Sequence, residues 1–300
     1  MGSTETHAFP HKLVLYTNHT CTWANRANIA LAELSLPFEQ RIINVDGPRP
    51  AAFLALNPRA LVPVLVVDDE HVIVESVIIC QYLDDVASAV CAAQHPSLRR
   101  RQLCPPLHGQ HSGGGEADGP LAAALTRAQM ALFIDVYWTR FHTLLFGLFE
   151  AVDQAAEDRI VDEAVDRLLG EVQPLLVASY PRTHETATAN AGVDAGVDAG
   201  VDAGVDGPDG PDGLFYGGNT EFTLVEVITG PFVVRAMALS RRGVYPARLA
   251  QRVQQEAPRF AAWAGKIAER DSVRAVFDEH VIVKRSVAKR QRMRKAAGLV

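Results

Sequence analysis

The chain reads as an α/β unit followed by an all-helical unit, and three observations predict this. Short apolar runs at Leu13–Tyr16 and Leu61–Val67 are bounded by turn residues, as buried strands are, and helix-periodic segments lie between and after them. From Leu121 to Phe149 the period becomes helical throughout, with Met130, Phe133, Tyr137, Trp138 and Phe141 recurring at steps of three and four. Between these regions, residues 88–119 lose all periodicity and gain proline, glycine and serine, which marks a linker enlarged by an insertion.

The first element, Leu13–Tyr16, is a strand; Thr17–Thr20 is a polar turn; and a helix begins at Thr22 with Ile29, Leu31 and Leu34 among its apolar positions. Cys21 thus falls where a strand gives way to a helix. Unpaired amides and the positive end of the helix dipole favour an anion at that place, so the thiolate form is expected and Cys21 is the candidate nucleophile. Phe38–Val45 reads as a second strand, ended by Gly47-Pro48-Arg49-Pro50, and Ala51–Leu56 as a short helix. Proline lacks an amide for the sheet ladder, so Pro63 is expected at the first residue of the third strand or at a cis turn. Asp68–Glu70 turns the chain, His71–Val74 returns antiparallel, and Glu75-Ser76 opens a third helix.

The order strand, helix, strand, short helix, strand, strand, helix, with its motifs, resembles the thioredoxin-like half of a cytosolic glutathione transferase. Cys21-Thr22-Trp23-Ala24-Asn25-Arg26 is similar to that family's C-P-[FWY]-A-x-R, Asn57–Pro63 to its N-P-x-G-x-V-P, and Glu75-Ser76 to its E-S pair. A cysteine in this position looks like the omega class and its fungal relatives. Two residues depart from the pattern: Thr22 stands for proline, and Ala60 for a glycine, so Ala60 needs either a negative φ or some strain.

The resemblance implies a thioredoxin-like glutathione-binding domain at 11–87 and an all-helical domain at 120–280, and it stops at the enlarged linker (88–119), the insertion at 184–213 and the basic tail at 281–300, which composition alone marks. It implies that glutathione is bound as co-substrate along Val62-Pro63, with Ser76 and Glu75 taking its γ-glutamyl carboxylate and ammonium. Arg49 stands where omega-type members carry a lysine for the glycine carboxylate. With Cys21 as nucleophile the implied activity is glutathione-dependent thiol transfer and reduction, with conjugation to electrophiles secondary and a homodimer as the usual assembly. Two other readings stay open: a non-catalytic interaction module, and a conjugating transferase that uses Thr20 or Thr22.

Within the helical part, Thr223 and Glu226 form a capping box with Phe222 and Val227 as its staple, and this resembles the family's S/T-x-x-D folding element. Pro258–Trp263 followed by Ser272-Val273 looks like the last core helix. Residues 184–213 are dominated by repeated Ala-Gly-Val-Asp, a low-complexity insertion expected to be disordered. Cys91, His95, Cys104, His108 and His111 have spacings that suit zinc, but the proline- and glycine-rich tract gives no orienting shell, and no metal is expected.

Seven of the 29 basic residues lie in the last twenty, so 35 acids face the other 22 and the body of the chain is acidic. That disfavours nucleic acid as the main partner. No apolar run approaches the length of a membrane span and the start lacks a signal-peptide pattern, so a cytoplasmic location without membrane attachment is expected. Four irregularly spaced cysteines fit a reducing compartment.

Overall fold

The structure is a computed structural model that describes residues 9–94, 102–105, 120–177 and 215–298. Four strands, β1 (Leu13–Thr17), β2 (Glu39–Ile42), β3 (Val64–Val67) and β4 (His71–Val74), form one sheet in the order β2-β1-β3-β4. β1 pairs parallel to β2, in register Leu15 with Gln40, and antiparallel to β3, in register Leu15 with Leu65; β3 and β4 are antiparallel. The parallel pair needs a crossover, which α1 (Thr22–Glu33) supplies, and the antiparallel pair needs only the Asp68–Glu70 turn. Every residue of β3 is buried, as its unbroken apolar run requires, whereas β2 lies at the edge and is exposed throughout. Helix α2 (Ala51–Leu56) buries Phe53 against Ile43 and Val64, while α3 (Ser76–Gln94) packs beside α1 on the sheet.

The helical part begins with α4 (Pro120–Val136), passes through a π-helical turn at Tyr137–His142 into α5 (Thr143–Phe146), and ends in a 3-10 turn at Gly147–Phe149. α6 (Gln154–Arg167) continues through a second π-helical turn (Leu168–Val172) into α7 (Gln173–Val177). Then follow α8 (Leu224–Arg241), α9 (Ala247–Glu256), α10 (Pro258–Glu269), α11 (Asp271–Arg274) and α12 (Glu279–Ala296). α8 is buried along nearly its whole length, so it is the axis of the bundle. A Cβ at its Gly230 would come within 2.8 Å of Ile267, so glycine is what lets α8 and α10 approach. α8 also packs against α1, and the core runs without a break from Leu15 and Ile29 to Phe232 and Trp263.

Two segments differ from the sequence expectation. The basic residues after 280 are not a separate tail: α12 buries Ile282 and Ser286 and packs on α8. Its charge pattern hides this, because Arg290 and Arg294 spend their guanidinium groups on the carbonyls of Val244 and Ala151, with Glu157 also pairing Arg290. Within the linker, Leu103 and Cys104 are buried: the Leu103 amide donates to Asp84 at 2.7 Å and its carbonyl accepts from the Leu224 amide at 2.9 Å. Cys104 therefore belongs to the core and not to a loose connection. His95, His108, His111 and the 184–213 repeat lie outside the described residues.

Candidate active site

The strand-to-helix junction is built from the turn outward. Asn18 Oδ1 accepts from both the amide and the hydroxyl of Thr20, at 2.9 and 2.6 Å, and its Nδ2 donates to the Ile43 carbonyl. This fixes the turn that delivers Cys21 to the N-cap of α1, with φ −95° and ψ 113°. No side chain caps this helix and its first turn holds no acid, so its amides remain turned toward Cys21. Cys21 is half-buried, and its Sγ lies 4.0 Å from the Val62 carbonyl, immediately before the cis Val62–Pro63 bond that leads into β3.

The other cysteines differ in kind. Cys80 is fully buried in α3, where loss of solvation pushes its thiol up to about 12, and burial likewise raises that of Cys104. Among the cysteines with described side chains, only Cys21 is accessible.

Ser76 opens α3 and is buried, and its hydroxyl accepts from Arg26 Nη1 at 3.1 Å. Glu75 precedes it with φ +70° and forms an ion pair with Arg59. Val62, Pro63, Glu75 and Ser76 are thus gathered at the ends of β3, β4 and α3, the side of the sheet that Cys21 also faces through Val62. Arg49 is used differently: its guanidinium donates to the carbonyls of Asn44, Val45, Gly47 and Ala60, so it braces the loop between β2 and β3. Ala60, in that loop, has φ +59°, so the strained alternative holds at this departure from glycine.

Arg26 is the buried cation behind the site. It donates to the Ile228 carbonyl at 2.8 Å, its Cζ sits 4.5 Å from the Phe232 ring centre and 5.5 Å from Trp138, and burial lowers it to about 10. It ties α1 to the start of α3 and to α8. Trp23, 41% exposed, meets Phe232 at 5.1 Å and Trp138 at 6.1 Å between ring centres, so an aromatic wall rises beside Cys21 from both parts of the chain. The π-helical turn contributes to it by placing Trp138 and His142 four residues apart yet stacked at 5.3 Å. His142 accepts no charge there: burial lowers it to about 3.

Sequence reasoning missed Arg235. It is the only cation before Arg241 at the end of the mostly apolar helix Leu224–Arg241, and that isolation was the available signal. Its fork donates to Thr22 Oγ1 at 3.0 Å and to Ser286 Oγ at 3.0 Å, so it links the residue after Cys21 to α12. Thr22, the departure from proline, thereby has a partner that proline would lack. Two grooves lie elsewhere on the surface, one of about 460 Å³ lined by Val234, Met237, Gln251 and Gly265 and the other by Leu103, Gln129, Tyr216 and Asn219; neither includes Cys21. Among the described residues no group of three His, Cys, Asp or Glu is placed to hold a metal ion, and no helix is long and apolar enough to cross a membrane.

Residues 20–86 match the family described as "Glutathione S-transferase, N-terminal domain". Over 90 residues the chain is 39% identical to a maleylacetoacetate isomerase of Pseudomonas aeruginosa, a match that covers 29% of this chain and 42% of that protein. Over 71 residues it is 37% identical to the glutathione S-transferase omega-1 of Mus musculus, covering 24% and 29%. The matched stretch is thus less than half the length of either curated relative. The fold extends further: glutathione transferase Omega 1C from Trametes versicolor superposes with a TM-score of 0.64 at 18% identity, over 95% of this chain and 98% of that one. Rice GST1 in complex with glutathione gives 0.59 at 20% identity, over 94% and 97%. Residues 20–86 therefore match the N-terminal domain of glutathione S-transferases, and the described residues have the fold of the glutathione transferases.

Proposed function

We propose that the protein is a glutathione-dependent thiol transferase and reductase in which Cys21 is the nucleophile. The observation that carries this reading is the Cys21 sulfur at the uncapped start of α1, 4.0 Å from the Val62 carbonyl. A peptide laid along Val62 as an added strand would bring its own sulfur to that junction. Glutathione meets this description, with its cysteinyl part on the Val62 backbone, its α-carboxylate at the start of α3 by Ser76, and its ammonium on Glu75. Arg49 serves by holding the loop beneath the tripeptide, since its donors are already spent on four carbonyls.

The chemistry follows from a thiolate in that position. Cys21–S⁻ attacks the glutathione sulfur of a disulfide R–S–S–G, forming Cys21–S–S–G and releasing R–S⁻, which takes a proton from solvent. A second glutathione thiolate then attacks the mixed disulfide, yielding oxidised glutathione and restoring Cys21; the two electrons come from glutathione. Conjugation of glutathione to electrophiles is the secondary activity. The hydroxyl alternatives are less well placed: Thr20 Oγ1 donates to Asn18, and Thr22 is buried with its oxygen held by Arg235. We also propose a cytoplasmic, homodimeric protein; the exposed Val72 and Ile78 and the exposed Leu121 and Leu125 of α4 supply apolar surface for such a contact.

Incubation with oxidised glutathione followed by peptide mapping should place one tripeptide on Cys21 and none on Cys80, which burial protects. Cys21→Ala should lower reductase turnover by at least about a thousandfold, the scale of losing a covalent catalyst, with the melting temperature little changed. An adduct on another cysteine, or a Cys21→Ala protein that keeps its rate, would overturn the assignment.

A further inference from the structure

The residues around Cys21 that belong to α8 and α12 are cationic, and nothing in the proposed binding of glutathione uses them. Arg235 reaches from α8 to Thr22 and Ser286. Arg285, next to Ser286, is held by Asp46, and Lys289 and Arg292 follow it at intervals of four and three, on one face of α12. Arg235 and Arg285 are each within electrostatic reach of the Cys21 sulfur, and Lys289 is within reach of both Arg235 and Arg292. The acids facing this group are Asp46, which pairs with Arg285, and Glu150, near Lys289. Four cations therefore meet two carboxylates, although the body of the chain is acidic. The other anchoring cations of the same helix, Arg290 and Arg294, point elsewhere, to Val244, Glu157 and Ala151, whereas on this face Arg285 pairs with Asp46 and the Lys289 ammonium lies 4.5 Å from the centre of the Phe149 ring.

A second feature adjoins it. Phe232 and Arg235 are one turn apart on α8, and Phe232 packs against Trp23 and Trp138. A ligand reaching Cys21 thus meets the exposed ring of Trp23, backed by Trp138 and the buried Phe232, with the cationic rim one turn away on α8.

We propose that Arg235 and Arg285, with Lys289 one turn further along α12 adding its charge, form an oxyanion subsite beside Cys21, and that the second substrate is a flat aromatic or conjugated acid whose carboxylate, sulfonate or phosphate docks there while its reactive sulfur or carbon faces Cys21. This deepens the reading of Cys21 as nucleophile and rests on it. The rim holds the acid group by charge-assisted hydrogen bonds, the wall stacks the planar part, and the cations concentrate anions at the thiolate before any contact forms.

Alkylation of Cys21 tests this without glutathione. The rate of labelling by iodoacetate relative to iodoacetamide, divided by the same ratio for a small free thiol, removes intrinsic reactivity and leaves the effect of the site. At low salt the normalised ratio should exceed one by about fivefold or more, and should shrink as salt screens the rim. Arg285→Gln combined with Lys289→Gln, both accessible on the face of α12, should bring it back toward one. Arg235→Lys, which keeps charge but loses the fork, should reduce it less than Arg235→Gln.

The oxyanion bound at the rim has two possible sources, the acceptor and the glycine end of glutathione. Steady-state rates with an aryl disulfide carrying carboxylates and with its neutral amide separate them when repeated with glutathione and with its glycine amide. A wild-type preference for the acidic disulfide that the double variant loses supports the acceptor. A penalty confined to the glycine amide assigns the rim to glutathione and overturns the proposal, as does a normalised alkylation ratio near one. If neither reagent labels Cys21, the nucleophile itself is misassigned, a result distinct from labelling without preference.

Discussion

Two helices that touch, α1 and α8, begin in opposite ways. Each starts with amides that have no partner inside the helix. At α8 the solution is complete: Thr223 Oγ1 accepts from the Val225 amide at 3.2 Å, and Glu226 accepts from the amides of Tyr216 and Thr223, the Thr223 hydroxyl and Trp263 Nε1, all within 2.8 Å. At α1 Cys21 occupies the cap and contributes no such bond. The first is a folding element, with every donor used and no access from solvent. The second keeps donors and an accessible sulfur together, the arrangement a site for anionic sulfur needs. Between these two helices, the satisfied end belongs to the scaffold and the open end, which carries an accessible sulfur, to the site.

The largest test acts on the closed end. Glu226→Ala leaves the Tyr216 and Thr223 amides and the Trp263 indole without their acceptor in the core, so unfolding in urea should show a loss of about 3 kcal/mol or more. A loss below about 1 kcal/mol would mean that the cap holds little together and that the contrast is only geometric. A smaller effect of opposite sign is expected at the open end. Cys21→Asp would place a carboxylate where it accepts from the first-turn amides, and should raise stability by about 1 kcal/mol while abolishing labelling and turnover. If stability instead falls, those amides are already satisfied and the uncapped description of α1 is wrong. The smallest concerns the loop opposite Cys21. Ala60→Gly removes a left-handed alanine at φ +59°, and its relief outweighs the added freedom of the unfolded chain by about 0.5 kcal/mol, readable as a small rise in the denaturation midpoint.

The parts of this structure that were legible in the sequence are those whose signal is local. The strand-to-helix junction at Cys21, the proline before β3 and the Thr223–Glu226 box each involve neighbours within a few residues, so spacing alone locates them. Arg235 and α12 were not legible in this way. A helix bearing Lys284, Arg285, Lys289 and Arg290 has the composition of a solvated tail, and only the carbonyls of Ala151 and Val244, far away in the chain, show why it docks. Cys104 was misread for a related reason: one carboxylate, Asp84, and one amide, that of Leu224, draw a segment of loop-like composition into the core. Arg49 has the residue type for a carboxylate ligand, but its four carbonyl partners depend on a loop shape that composition does not encode.

The hydrogen bond from Arg235 to Thr22 also bears on inheritance. A proline at position 22 would have no hydroxyl to receive the guanidinium, and Arg235, half-buried on α8, would keep Ser286 but lose the acceptor of its other arm. The threonine at 22 and the arginine at 235 therefore constrain each other. In an alignment of relatives, the two columns should vary as a pair even though 213 positions separate them.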